Sequence, residues 1–273
     1  MNKKTPNISP IIKAKSLSFE RDGRKIFDQI SLSFMPGKIT AVMGPSGTGK
    51  TTLLHLISGL LKPDSGEIEV FSESLAQMRY KALFKLRERI GFLFQNNALF
   101  TDMTVFENIA FPLYEHSSLP MNLIKDIVLM KLQAVGLRGA RSLMPSELSG
   151  GMARRASLAR AIALDPEIML YDEPFTGQDP ISMAVIVNLI KTLNDALNLT
   201  SIIVTHDVQE VLTIADYVYI LSEGSVIGQG TPQEITKDPA ARVKQFVHGE
   251  VEGPVSFHYP AKSASVDFLG GDH

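Results

Sequence analysis

Two glycine-rich stretches hold residue types that can grip phosphate. In "GPSGTGKTT", Gly44, Gly47 and Gly49 let successive backbone N–H groups curl around phosphate oxygens, with Pro45, Ser46 and Thr48 spaced between them. Lys50 is then placed to reach the outer phosphates, and the hydroxyl of Thr51, followed by Thr52, to meet magnesium. A helix starting here adds roughly half a unit of positive charge facing the anion. Further along, "ELSGGMARR" offers a second such start, where the Ser149 hydroxyl and the N–H groups of Gly150 and Gly151 can meet an anion. The same residues also read as a plain helix cap with glycines for close packing.

Other residues gain meaning beside the loop. "IMLYDE" is a strand ending in Asp172 and Glu173, where apolar neighbours make unpaired charge costly. Asp172 suits a magnesium ion held through Thr51 or water, and Glu173 suits the base that polarises water for attack on a γ-phosphate. Gln95 and His206 each follow an apolar strand, "IGFLFQ" and "SIIVTH", at the edge of a parallel sheet where ligands bind. His206 is placed for the γ-phosphate, and Gln95 for magnesium or the attacking water. Four strand ends would thus converge on one triphosphate.

The elements that must position them can be read from periodicity. "IIKAKSLSFE" and "QISLSF" alternate as half-buried antiparallel strands, and "KITAVM" is a continuous apolar strand leading into the phosphate loop and then a helix, "TTLLHLISGL". "KPDSGEIEV" reads as a turn and short strand. After Gln95 the pattern becomes helical: Thr104 and Glu107 form a capping box, and "NLIKDIVLMKLQAVG" is amphipathic, so residues 96–164 read as an all-helical insert. Arg154, Arg155 and Arg160 on the helix after Ser149 read as a solvated face. Parallel-strand pattern resumes at "EIMLYDEP" and continues through "TSIIVTHD" and "YVYILSEG", with helices between. The ending from Gly249, with Val255, Phe257 and Tyr259 alternating, reads either as an extended partner-docking segment or as disorder.

Composition sets the outer limits. With 273 residues and 44% hydrophobic content the chain can bury a large core. Cysteine is absent, which removes disulfides and thiolate metal sites, and "MNKKTPNISP" has no apolar secretion core, so a cytoplasmic address is expected. A net charge of −2 argues against nucleic acid as a partner. No apolar run approaches the ~20 residues of a spanning helix, so any membrane work needs other subunits to do the spanning.

Taken in order, "GPSGTGKT", Gln95, "LSGGM", "YDEP", Asp179 and His206 resemble the nucleotide-binding subunits of ABC transporters over about residues 11–248. The resemblance implies an α/β fold: a P-loop NTPase core with an N-terminal antiparallel β subdomain and an inserted α-helical subdomain. It implies ATP and magnesium as ligands, ATP hydrolysis as the activity, and a head-to-tail dimer. In that dimer Ser149, Gly150 and Gly151 of one copy close over ATP on the other, with Asp179 nearby. Three positions depart from the usual pattern. Met152 stands where Gln is common, "TGQD" replaces "SALD", and Arg21 stands where an aromatic usually lies under the adenine. Arg21 reads equally as a guanidinium stacked on the base or as a solvated hairpin residue.

Within the family, "NNALFTDMTVFENIAFPL", the stretch from "GLRGARSLMPSELSGGMARR" to "YDEPFTGQDP", and "GPVSFHYPA" are similar to the ATPases of Mla phospholipid-transport systems of Gram-negative bacteria. That implies two copies under an MlaE-like permease, with an MlaB-like STAS-domain protein and an MlaD-like MCE-domain protein, peripheral on the cytoplasmic face of the inner membrane. The extension over residues 249–273 is expected to dock on the opposite ATPase subunit, near where the STAS-domain partner binds. A groove beside the Gln95 strand would receive a permease helix, with Leu99, Phe100, Met103, Val105 and Phe106 as its apolar lining.

Overall fold

The computed structural model describes residues 9–254. Val255, Phe257 and Tyr259, which carry the tail-docking expectation, lie outside the described residues. The chain opens with antiparallel strands β1 (Ile12–Arg21) and β2 (Arg24–Phe34), followed by β3 (Ile39–Met43), helix α1 (Lys50–Ile57), β4 (Ser65–Val70) and the short β5 (Glu73–Ser74). Helix α2 (Tyr80–Glu88) leads into β6 (Ile90–Leu93). From there to β7 (Ile168–Asp172) the elements are helical: α3 (Val105–His116), α4 (Met121–Ala134) and α5 (Gly150–Ala161), with two 3-10 turns between α4 and α5. The chain continues through α6 (Pro180–Leu197), β8 (Thr200–Thr205), α7 (Val208–Leu212), β9 (Tyr217–Ser222), β10 (Ser225–Gly230), α8 (Pro232–Thr236) and α9 (Ala241–His248).

The strands form two sheets. A four-stranded antiparallel sheet runs β2-β1-β4-β5, and a six-stranded sheet runs β10-β9-β3-β8-β7-β6, parallel except for the edge strand β10. Side chains alternate across a strand, so each central strand serves two cores. Ala41, Tyr171 and Ile203 point into a core shared with the helices between α3 and α6, while Val42, Leu170 and Val204 point into one shared with α1 and the antiparallel sheet. All six are fully excluded from solvent, as expected for parallel strands covered on both faces.

The α3 entry shows how a polar residue shapes a buried turn. Thr104 caps the helix in a reciprocal box with Glu107, and backbone donation to the Glu107 carboxylate, with help from the Thr104 hydroxyl, lowers its pKa. Asn108, fully buried one position on, donates to the carbonyls of Phe100, Met103 and Thr104 and accepts from the Phe100 N–H. It thereby supplies the hydrogen bonds that an irregular segment cannot find in water once buried. Replacing Asn108 by Ala leaves those backbone groups unpaired and is expected to cost about 2 kcal/mol. Urea unfolding of the two proteins side by side checks this, and an unchanged midpoint would refute it.

Candidate active site

Parallel register brings the predicted residues to one edge. Met43 pairs with Thr205, Val204 with Asp172, and Tyr171 with Leu93, so the loops after β3, β8, β7 and β6 all leave the sheet on the same side. Those loops begin with Gly44, His206, Glu173 and the Phe94–Gln95 pair. Open parallel sheets place ligands at this carboxyl edge.

The phosphate loop crosses from β3 into α1. Gly49, the residue just before the helix, has φ +90°, and a Cβ there would lie 2.3 Å from the Ile26 side chain, so only glycine fits both the backbone and the space. Ser46 and Gly47 are exposed at the loop's crest, and the Thr48 hydroxyl donates to the Pro45 carbonyl at 2.9 Å. Lys50 is buried, its ammonium donating to the Gly44 carbonyl at 2.8 Å and lying 3.5 Å from Glu173 Oε1. Thr51 Oγ1 donates to Asp172 Oδ1 at 2.8 Å, and Thr52 follows on the same half-buried turn. Asp172 is 4% exposed, and its burial raises its pKa against the lowering effect of the Thr51 hydrogen bond.

Glu173 is the most constrained of the acids. Its backbone is left-handed, φ +46°, and its N–H is pinned to the Val204 carbonyl at 2.9 Å. A non-glycine residue in this conformation is strained, and such strain persists only where the surroundings fix it. Oε1 faces Lys50, while Oε2 lies 2.9 Å from His206 Nδ1 and accepts from the His206 N–H at 3.3 Å and the Thr176 hydroxyl at 3.4 Å. The half-exposed imidazole of His206 thus lies with its Nδ1 edge against this carboxylate.

The remaining predicted residues divide by place. Gln95 is exposed at the same sheet edge. Arg21 is exposed at the β1–β2 turn, 3.7 Å from Asp22. The cavity beside the phosphate loop, about 420 Å³, is lined instead by Arg24, Lys25 and Ile26 of β2 together with Pro45, Ser46 and Gly47. Alternation in a hairpin with a two-residue turn could have suggested those positions. Asp179 caps α6, its carboxylate accepting from the N–H groups of Ile181 and Ser182 at 3.0 Å; the Ser182 side chain first, then these backbone donors, lower its pKa.

Ser149 caps α5, accepting from the Met152 N–H at 3.3 Å. Ser149 and Gly150 are exposed, and nothing lies within 4 Å of where a Gly150 Cβ would stand. Gly151 differs: a Cβ there would lie 2.6 Å from Ser182 Oγ, so this turn packs on the start of α6, next to the loop that leaves Glu173. Two other readings of the sequence are corrected here. The arginines of α5 do not form a solvated face, because Arg154 is only 2% exposed and bonds backbone carbonyls. Val105 does not line a groove but is fully buried in the helical core, where the capped first turn of α3 directs it. The groove that does exist, about 500 Å³, is lined by Phe84, Phe92, Phe94, Phe100 and Phe111, with Arg160 at its side.

A family model for ABC transporters matches residues 27–176. The intermembrane phospholipid transport system ATP-binding protein MlaF of Haemophilus influenzae is 59% identical over 252 residues, 92% of this chain and 96% of its own length. MlaF of Escherichia coli K12 is 53% identical over 265 residues, 97% of this chain and 98% of its own. Among solved structures, a dimeric post-hydrolysis form of the ATP-binding cassette MJ0796 bound to ADP and Pi superposes with a TM-score of 0.75 at 29% identity, covering 81% of this chain and 98% of that one. The protein cbiO1 of Clostridium perfringens, part of the ABC transporter complex cbiONQ, gives 0.78 at 31% identity, covering 87% and 94%. With a phosphate loop, a buried acid pair and a capped glycine turn set on this sheet, and with relatives of this closeness along nearly its whole length, the chain belongs to the ABC transporter family as one of its ATP-hydrolysing subunits.

Proposed function

We propose that this chain powers a transporter that moves phospholipids between the inner and outer membranes and maintains outer-membrane lipid asymmetry. The observation that carries the cargo assignment is the 59% identity to the Haemophilus influenzae phospholipid-transport ATPase over 92% of the chain. The phosphate chemistry itself is indifferent to cargo.

ATP binds with its phosphates on the loop from Gly44 to Thr52, where Lys50 and the start of α1 supply positive charge. The Thr51 hydroxyl and Asp172 carboxylate, 2.8 Å apart, are hard oxygen donors of the kind magnesium prefers, with Gln95 as a further oxygen from the neighbouring strand end. Those residues would hold magnesium, which would supply positive charge to offset that of the outer phosphates. Glu173 takes the proton of the attacking water. Its buried carboxylate is already oriented by Lys50 and His206, so little reorganisation accompanies proton transfer. His206 presents Nε2 to the γ-phosphate. Arg21 or the neighbouring Arg24 and Lys25 meet the nucleotide's other end.

The cap at Ser149 works on a second copy. Exposure of Ser149 and Gly150 at a helix start leaves an anion-binding surface directed away from the core, and a head-to-tail pair brings it over the partner's ATP, with Asp179 at the same seam. The aromatic groove receives a helix of an MlaE-like permease, and MlaB-like and MlaD-like proteins complete the assembly. Among the described residues no helix is long and apolar enough to cross a membrane, which accords with a peripheral subunit on the cytoplasmic side.

Glu173→Gln is expected to keep ATP binding, lose at least about 100-fold in hydrolysis, and accumulate as the closed dimer. Turnover at the normal rate would remove Glu173 from the role of base. Gly150→Ala is expected to melt like the parent yet hydrolyse poorly, whereas Gly151→Ala is expected to lose roughly 1–2 kcal/mol of stability through its clash with Ser182. Thermal melting and ATPase assays on both variants check the contrast. Affinity purification from native membranes, with identification of the co-purifying permease and its bound lipid, tests the cargo; a permease free of phospholipid contradicts it.

A further inference from the structure

Helix α5 turns three side chains, at i, i+3 and i+6, onto the loop that follows β6. Arg154 donates from Nη1 to the Phe94 carbonyl at 2.8 Å and from Nη2 to the Gln95 carbonyl at 2.9 Å. Ser157 Oγ donates to the Asn97 carbonyl at 2.8 Å. Arg160 reaches the Ala98 carbonyl at 2.6 Å and the Asn97 carbonyl at 3.2 Å. Asn97 and Ala98 are both left-handed, with φ of +63° and +51°. Two successive strained residues without glycine keep that shape only if something holds them, and the α5 side chains do so.

Arg154 is the unusual member. It is 2% exposed, no carboxylate of the described residues lies within ion-pair distance, and its Nε has no hydrogen-bond partner. Burial lowers its pKa, opposed by the more distant charge of Asp172. Burying a guanidinium against carbonyls alone is costly, and a helix that needed only to pack would do better with an apolar residue. What the guanidinium supplies is a planar fork that fixes two successive carbonyls relative to one helix, which neither lysine nor glutamine reproduces.

We propose that Arg154 is a positioning residue for hydrolysis: it locks the Gln95 peptide to α5, so that movement of the helix whose first turn meets the second copy's ATP sets the place of Gln95 at the chain's own ATP. This rests on the roles of Gln95 and Ser149 given above. Arg160, from the same helix face, also borders the aromatic groove, so occupancy of that groove acts on the same loop. One rigid helix therefore links the groove, the chain's own nucleotide and the partner's nucleotide.

The test uses the full chain purified with its membrane partners, comparing Arg154→Lys, Gln95→Ala and the double variant. Arg154→Lys is expected to lower kcat roughly 10- to 100-fold, the scale of a catalytic group misplaced by about an ångström, while KM for ATP stays within about threefold. The double variant is expected to be no slower than Gln95→Ala alone, because Arg154 acts through Gln95. Arg155→Lys, which holds the Val135 carbonyl from the same helix, is the comparison expected to keep parental turnover. Parental kcat in Arg154→Lys, or multiplied losses in the double variant, would overturn the proposal. So would equal loss of kcat and ATP affinity together with a lowered melting temperature, the mark of a purely structural arginine. If Arg154→Lys does not fold, Ser157→Ala serves instead: a lowered kcat at unchanged melting temperature supports the lock, and unchanged kcat overturns it. Normal turnover by Gln95→Ala alone would remove the reading of Gln95 and with it the action of Arg154 through that residue, whereas a slow Gln95→Ala beside a parental Arg154→Lys would overturn the lock alone.

Discussion

The parallel register of β6, β7, β8 and β3 is the constraint on which the rest depends. Because each strand pairs without offset against the next, four loops leave the sheet at one level, and residues far apart in the chain become neighbours. A slip of one position in β7 would exchange Leu170 and Tyr171 between the two cores and withdraw Asp172 from Thr51. The full burial of alternate residues on both faces opposes such a slip, so the apolar cores and the Thr51–Asp172 hydrogen bond are set by the same interaction.

Much of the site was legible because its residues have to be of particular types. Glycines at a strand-to-helix turn, followed by Lys50 and Thr51, have few other uses, and the acid pair after "IMLY" is conspicuous in an apolar run. Strand ends at Gln95 and His206 followed from the length of the apolar runs alone. The antiparallel opening and the helical stretch after β6 were likewise visible as a change of period from two to that of a helix.

The less legible features are those whose partner is backbone. Nothing in the residue types of "GGMARRASLARA" announces that Arg154, Ser157 and Arg160 face carbonyls, since carbonyls are present at every position and leave no trace in composition. Charge pointed to solvent, and tertiary packing overrode it. The apolar groove beside β6 is legible with Phe100 in it, but most of its aromatic lining is not, for a related reason. Phe84, Phe92, Phe100 and Phe111 come from separate segments around β6, and only folding gathers them. Val105 was misplaced because an apolar residue next to a cap has the same pattern whether it faces a groove or the core.

The left-handed backbone at Glu173 bears on how this protein can change over time. Glycine or asparagine suits that conformation better than glutamate, so a chain carrying either at this position would fold at least as readily and escape any quality control that senses only unfolding. Selection for folded protein and selection for turnover therefore pull this one position in opposite directions. A population maintained by stability alone would lose the carboxylate that Lys50 and His206 face while keeping the fold, leaving copies that no test of folding tells from the parent.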